Sequence, residues 1–469
     1  AAGRVLGIPP HASISREAAL AVRDSVYKLL NPSQPVPSFP APANKGSAAR
    51  QAASGGIRYV TGLTIPVDFS DAPATIPRQT IDDLFNKQGF TGYGNNGSVY
   101  DYYDDVSSRR LQYTNIVVDY IRAAKPKSYY NSTTAPYGQR AQELVKEVLL
   151  ALEAQGFDFT TLTADADNNV YAVNVLYAGA TPNAWAVGLW PHQGGVYGVA
   201  LDGMKLGVYE LSNIGTSPQI GVLCHENGHM VMGWPDLYDY GGQSQGTGGY
   251  DLMSAGTGTN VQPPGAWLRD RAGWDEVVDL EEIGPGTVLR HIANSGTSFR
   301  YDNPANAKEH YYVESRRKTG RNGYLPDEGL VIWHVDENGS NNDEQRTKTR
   351  HYKVSLVQAD SKFDLESKRS TGDGDLFHAG YKDIFNATTK PNSNWWSGAI
   401  SNFRLNSIGP VADTMSFVWG GGTNHPTLAA VKPTKAVSGI AAWYGEGLWS
   451  GIPVFTQSNI KMKSTATSL

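Results

Sequence analysis

The 469-residue chain reads as an α+β protein, a mixed α/β unit followed by a β-rich, sandwich-like unit. Three observations predict this. From residue 57 to about 275, the strand-like runs "RYVTGLTIPVDFSD" and "VYAVNVLYAG" alternate with the helical period of "QELVKEVLLALEAQG". Beyond 275 the pattern shortens to strands between turns: "EHYYVESRR", "GLVIWHVDENG", "HYKVSLVQAD" and "TMSFVWGGG". A glycine run at 420–422 then marks a boundary. The expected organisation is an N-terminal helix and linker over 1–56, the α/β unit over 57–275, the β-rich unit over 276–420, and a tail or further module over 421–469.

Taken in order, "SREAALAVRDSVYKLL" at 15–30 is an amphipathic helix stopped by Asn31 and Pro32, and the Pro/Ala/Ser/Gly stretch after it is a linker. Together they read as a prosegment or a packed arm. A 40% hydrophobic fraction is ample for cores in the units that follow. Net charge is −5 and the 40 lysines and arginines are scattered, which excludes a basic face that tracks phosphates and, with it, nucleic acid as a partner. No apolar run approaches the about 18 residues of a membrane span. Cys224 is the only cysteine, so no disulfide closes within the chain. With 25 tyrosines, 11 tryptophans and 51 glycines, the composition suits a β-rich bacterial exported protein whose signal sequence has been removed.

The stretch "LCHENGHMVMGWPDLYD" at 223–239 carries the chemistry. Ser217 as N-cap, Pro218 as first helical residue and Gly233 just past the end predict a helix over 218–232. Four residues apart, His225 and His229 share one face, where two imidazoles can bind one ion. Glu226 stands about 100° further round, off the metal and close to a water on it. A chance His-Glu-x-x-His in a chain with 10 histidines has odds of roughly one in a hundred. The expectation is a hydrolytic zinc site. Gly233 turns the chain back under the ion, and both Asp236 and Asp239 are candidates for the third ligand, because no histidine follows before His291.

The same stretch resembles the M6 peptidases, the immune-inhibitor-A-like group of secreted zinc metalloendopeptidases. That family's usual pattern sets a glycine three residues after the second histidine and an aspartate ligand three residues after the glycine. Here one extra residue precedes Gly233, and Gly-x-x-Asp is intact. The resemblance therefore gives Asp236 the ligand role and leaves Asp239 as the alternative. It runs on through "VDFSD" (67–71), "GSVYDYYDDVS" (97–107), "LWPHQ" (189–193), "GGYDLMSAG" (248–256) and "LPDEGLVIWHVDENG" (325–339), covering 57 to about 418. It implies a zincin-type, metzincin-like catalytic domain ahead of the β-rich one, and protein or peptide substrates outside the cell. Met253 resembles the methionine that floors such sites without binding the metal.

The chemistry expected of such a site follows from charge. Two neutral imidazoles and a carboxylate leave a zinc ion with net +1, which brings the pKa of a coordinated water toward about 7. Glu226 would take that water's proton and pass it to the leaving amine. Tyr250 and His192 are candidate donors to the oxyanion. The resemblance also implies structural calcium: Asp165, Asp167 and Asn169 in "DADNN" place oxygens at alternate positions, and Asp336, Asp373 and Asp375 are further candidates. Val170, standing where glycine is needed, excludes an EF-hand. The alternative function is a non-catalytic extracellular binding or adhesion protein that uses the zincin domain as a scaffold. Glu226 argues against it, since a scaffold needs no proton shuttle.

Overall fold

In the computed structural model, which describes residues 56–421 apart from 137, 182–187, 344–345 and 368–371, β1 (Arg58–Asp68) is buried over most of its length, as a strand covered on both faces must be. The helix read over 15–30, the linker after it and the tail beyond 421 lie outside the described residues. After β1, α1 (Arg78–Asn86) and α2 (Val99–Val106) lead to β2 (Leu111–Val117) and the short β3 (Ile121–Arg122). Next come α3 (Lys127–Tyr130), α4 (Gln139–Ala154) and β4 (Val173–Ala178). β5 (His192–Gly195), a hairpin of β6 (Ala200–Leu201) and β7 (Met204–Lys205), β8 (Val208–Gly215), α5 (Ile220–Met232) and α6 (Ala266–Arg271) follow. The main sheet has the order β2-β1-β4-β8-β5, with β3 also beside β1. Its pairings are parallel except for β5 on β8, which is antiparallel and forms one edge. The chain divides into two compact units between Trp274 and Asp275, and this mixed α/β unit is the first.

Side chains alternate along a strand, so the sheet presents two faces. On one, Leu63, Ile65, Val67, Val175, Tyr177 and Leu211 share an apolar core with Leu144, Val145, Val148 and Leu152 of α4. Each such side chain contributes about 1.5–3 kcal/mol when fully buried. The other face is polar at its centre. There Asn227 of α5 donates from Nδ2 to Asn174 Oδ1 (2.8 Å) and accepts at Oδ1 from the Tyr113 hydroxyl (2.7 Å). Asn174 Nδ2 in turn donates to Asn115 Oδ1 (2.9 Å). All four residues are buried, so the helix is seated by hydrogen bonds as well as by apolar contact.

The second unit contains two further sheets. Its strands are β9 (Glu276–Asp279), β10 (Thr287–Ile292), β11 (Thr297–Asn303), β12 (Asn306–Arg316), β13 (Gly329–Asp336), β14 (Val354–Leu356), β15 (Leu405–Asn406) and β16 (Thr414–Trp419). One sheet has the order β14-β13-β12-β11-β9 and the other β10-β16-β15. Phe299, Tyr311 and Ile332 of the first share one core with Leu289, Phe417 and Trp419 of the second. Phe299 and Phe417 meet edge to face across it, 5.2 Å between ring centres. No described helix is long and apolar enough to cross a membrane.

The polar seat of α5 gives a test. Asn227→Ala strands Asn174 Oδ1 and takes from the Tyr113 hydroxyl its shorter acceptor, leaving it Asn115 Oδ1 at 3.3 Å; a stranded buried polar atom costs about 1–3 kcal/mol and a lost bond about 0.5–1.5 kcal/mol. The expected outcome is a loss of about 2–4 kcal/mol from the unfolding free energy of the first unit in urea, followed by circular dichroism. A midpoint equal to that of the unaltered chain would show that apolar contact alone seats the helix.

Candidate metal centre

α5 starts at Ile220, two residues later than the sequence predicts, and the residue before it is Gln219, which makes no side-chain cap. The cap comes from 125 residues upstream: Asn95 Oδ1 accepts from the Ile220 N–H at 2.9 Å. Asn95 Nδ2 also donates to the Pro218 carbonyl (3.0 Å), so a remote side chain does the work expected of Ser217. At the other end Gly233 adopts φ 66°, the left-handed conformation expected of a helix stop, and its N–H bonds to the His229 carbonyl at 3.0 Å.

That turn returns Asp236 to the face that carries the histidines. His225 Nε2, His229 Nε2 and Asp236 Oδ1 form a triangle with edges of 2.9, 3.0 and 3.2 Å. Among the described residues this is the one group of three or more His, Cys, Asp or Glu side chains close enough to share an ion. Each member is aimed by a bond on its far side. His225 Nδ1 donates to the Leu252 carbonyl (3.0 Å), His229 Nδ1 to the Trp234 carbonyl (2.6 Å), and the Tyr240 hydroxyl to Asp236 Oδ2 (2.6 Å). With both Nδ1 atoms committed as donors, neutral imidazoles present lone pairs at Nε2, and three acceptors face one point. Such a set needs a proton or a cation among its members. Two imidazole nitrogens and a carboxylate oxygen suit zinc, whose tetrahedral bonds of about 2.0 Å set ligands about 3.3 Å apart.

Where no ion is bound, a proton fills that need. Burial alone would lower the His229 pKa, but the charge and hydrogen bond of Asp236 outweigh it and hold the value at about 9. His225 is raised against burial by the same carboxylate. Asp236, which burial would raise, is held well below the usual carboxylate range by the two imidazoles.

Glu226 lines a cavity of about 280 Å³ together with the three clustered residues, His192, Gln193 and Tyr238. Burial raises its pKa, against the pull of both imidazoles and a hydrogen bond from the Gln193 backbone. Met253 is fully buried against α5: a Cβ at Gly228 would meet its Sδ at 2.9 Å and the Trp234 ring at 3.0 Å.

Other expected residues have different places. Asp239 stands outside the triangle; its carboxylate accepts from the backbone N–H groups of Gly241, Gln243 and Ser244 (2.8–3.0 Å) and so closes the loop after Asp236. Tyr250 is fully buried and does not line the cavity. His192 does line it, but Nδ1 bonds to the Trp190 carbonyl (2.7 Å) and Nε2 to the Tyr209 hydroxyl (3.1 Å). Burial lowers its pKa to about 4, so the ring is neutral at pH 7 and its one N–H goes to Trp190, leaving none for an oxyanion.

Of the acidic residues expected at calcium, Asp165, Asp336 and Asp375 accept hydrogen bonds within the protein, and Asp373 is exposed. Asp165 accepts from the N–H groups of Asp167 and Asn169 (2.9 Å each) and from the Asn169 amide. Asp336 accepts from the Asn338 N–H (2.9 Å) and His351 Nε2 (3.0 Å). Asp373 is exposed with Lys318 Nζ at 3.8 Å, and the buried Asp375 accepts from the Gly372 N–H (3.3 Å). None of them joins a three-residue cluster among the described residues. Sequence reading missed Tyr240 and Tyr238; their nearest signal was the aromatic density of "DLYDY" just after Gly233.

No protein-family model matches the chain, and no curated protein matches it significantly. The reading of the site therefore rests on its own geometry.

Two measurements follow. With the His229 pKa at about 9, zinc entering at pH 7 displaces a proton, so binding tightens as pH rises toward 9. Calorimetric titration of zinc in two buffers of different ionisation enthalpy should report release of about one proton per ion; identical heats in both buffers would contradict this. Tyr240→Phe removes the bond that orients Asp236 and should weaken zinc binding about 10–100-fold without changing the circular dichroism spectrum. An unchanged zinc affinity would remove Tyr240 from the site.

Proposed function

We propose that the chain is a secreted zinc-dependent endopeptidase of zincin type, similar to the M6 peptidases. The observation that carries this reading is the convergence of His225 Nε2, His229 Nε2 and Asp236 Oδ1 in a cavity whose wall also holds the Glu226 carboxylate. Zinc held by the three would supply a Lewis acid that polarises a scissile carbonyl and acidifies water. The proton work then falls to Glu226. Its carboxylate is buried in the cavity wall beside the two imidazoles, and it can accept a proton and return it to a leaving amine.

The strand beside the cavity favours a polypeptide substrate. β5 is an edge of its sheet, and its residues His192 and Gln193 line the cavity. An extended peptide can add to such an edge main chain to main chain, which sets its register before any side chain is recognised. Glu226 also separates this reading from a binding-only scaffold, which has no use for a buried base beside two imidazoles.

The test is cleavage of an unstructured protein such as casein by the zinc-loaded chain, by Glu226→Ala and after chelation. Glu226→Ala should lose about 10²–10⁴-fold in rate while still binding one zinc per chain. Chelation should stop the unaltered chain, and added zinc should restore it. Full activity in Glu226→Ala, or cleavage that survives chelation, would falsify the mechanism.

A further inference from the structure

The second unit holds a cavity of about 370 Å³ that the chemistry above does not use. Tyr311, His334 and Trp396 of its wall belong to a stack of flat rings that His351 continues behind it. Centre to centre, Tyr311 lies 4.4 Å from His334, His334 lies 5.0 Å from Trp396, and Trp396 lies 4.6 Å from His351, all nearly parallel. Glu309 locks the stack, accepting from His334 Nε2 (2.9 Å) and from the Trp396 backbone N–H (2.7 Å). Two imidazoles thus stack on the Trp396 indole, and its Nε1 is buried with no hydrogen-bond partner among the described residues. Asn394, in the same wall, is held by the Tyr311 hydroxyl on its carbonyl (3.1 Å), and its Oδ1 is likewise buried without a partner among the described residues. One donor and one acceptor are thus left without a partner in residues of the cavity wall.

Charge adds the second half of the argument. Arg346 and Lys348 are exposed residues of the same cavity, and neither makes an ion pair with a described residue. The Arg346 guanidinium rests 3.7 Å over the Phe363 ring, and Lys348 Nζ stands where a Cβ on Gly398 would come within 3.0 Å. Among the described residues the one acid of the lining is Glu366, which accepts from Gln358 Nε2 (2.6 Å) and interacts with the charge of Arg346, so two cations stand against one carboxylate there. A hydroxyl is the ligand group that can accept from an indole N–H and also donate to an amide oxygen. An anionic group is what two cations facing one cavity select. The volume falls in the range of small-molecule sites, about 300–1,000 Å³.

We propose that this cavity binds a sugar acid, a small polyhydroxylated carboxylate, with its carboxylate at Arg346 and Lys348 and its hydroxyls on Trp396 Nε1 and Asn394 Oδ1. The site is independent of the zinc reading. The experiment is titration of the full chain with sodium D-glucuronate, followed by calorimetry or saturation-transfer NMR. EDTA is present so that no carboxylate binds through a metal. D-Glucose and acetate at matched ionic strength are the comparisons. Glucuronate should bind saturably with a dissociation constant at least tenfold below those of glucose and acetate. Trp396→Phe keeps the ring stack but removes the N–H and should weaken binding at least threefold. The exposed pair Arg346→Ala/Lys348→Ala leaves the core untouched and should abolish the preference over glucose. Absence of saturable glucuronate binding, equal binding of glucose or acetate, or full affinity in the double variant overturns the proposal.

Discussion

Three acceptor atoms held within 3.2 Å of one another repel unless something positive lies among them, and the first unit is arranged around that requirement. The helix alone could not impose it, because imidazoles on a free helix turn about their side-chain bonds. The rings are fixed by carbonyls from two loops, Leu252 and Trp234, and the carboxylate by a third partner, Tyr240. Remove the positive charge and each of these bonds works against electrostatic repulsion. Supply it, and they reinforce one geometry. A proton shared with Asp236 and a divalent cation are the two occupants that satisfy the set, which makes them competitors.

The five residues His225-Glu226-Asn227-Gly228-His229 show how closely the surroundings constrain one turn of helix. The two histidines and Glu226 face the cavity. Asn227 points the other way and bonds to Asn174 and Tyr113 over the sheet. Gly228 leaves room on a third side, where Met253 Sδ and the Trp234 ring would crowd a Cβ. Gly221, two turns earlier, does the same for the loop at Thr257, whose carbonyl would lie 1.8 Å from a Cβ. Glycine inside a helix costs about 1 kcal/mol relative to alanine, so this helix accepts poor intrinsic propensity in exchange for close approach on two sides. Its position is set by tertiary contacts.

What the sequence reveals about this site follows from how local each cause is. His225, Glu226 and His229 are legible because helical period puts them on one face, and Gly233 because a left-handed stop is a local demand. The helix start is misread because its cap, Asn95, comes from a distant loop, while the nearby Ser217-Pro218 offers a plausible local substitute. Asp236 and Asp239 look alike in sequence. They part only when Asp239 is seen to spend its oxygens on three backbone amides. His192 is a subtler case, since it does reach the cavity but has its only N–H committed to a neighbouring carbonyl. In the second unit the short strands are legible from their alternation, whereas the Tyr311-His334-Trp396-His351 stack joins four separate stretches and leaves no periodic trace.

The same distinction bears on how a metal would bind. In the smallest zinc modules the ligands gather only as the ion arrives, and affinity is drawn from folding. Here the gathering forces are already present: the apolar core under α4, the amide layer under α5 and the three far-side bonds. The ligands therefore need little ordering on binding, and the main opposing term is removal of a proton from an imidazole whose pKa Asp236 has raised to about 9. Acid strengthens that proton's hold and alkali releases it. A pocket of this kind exchanges one cation for another inside a fixed frame, so its selectivity resides in the donor set of two nitrogens and one oxygen.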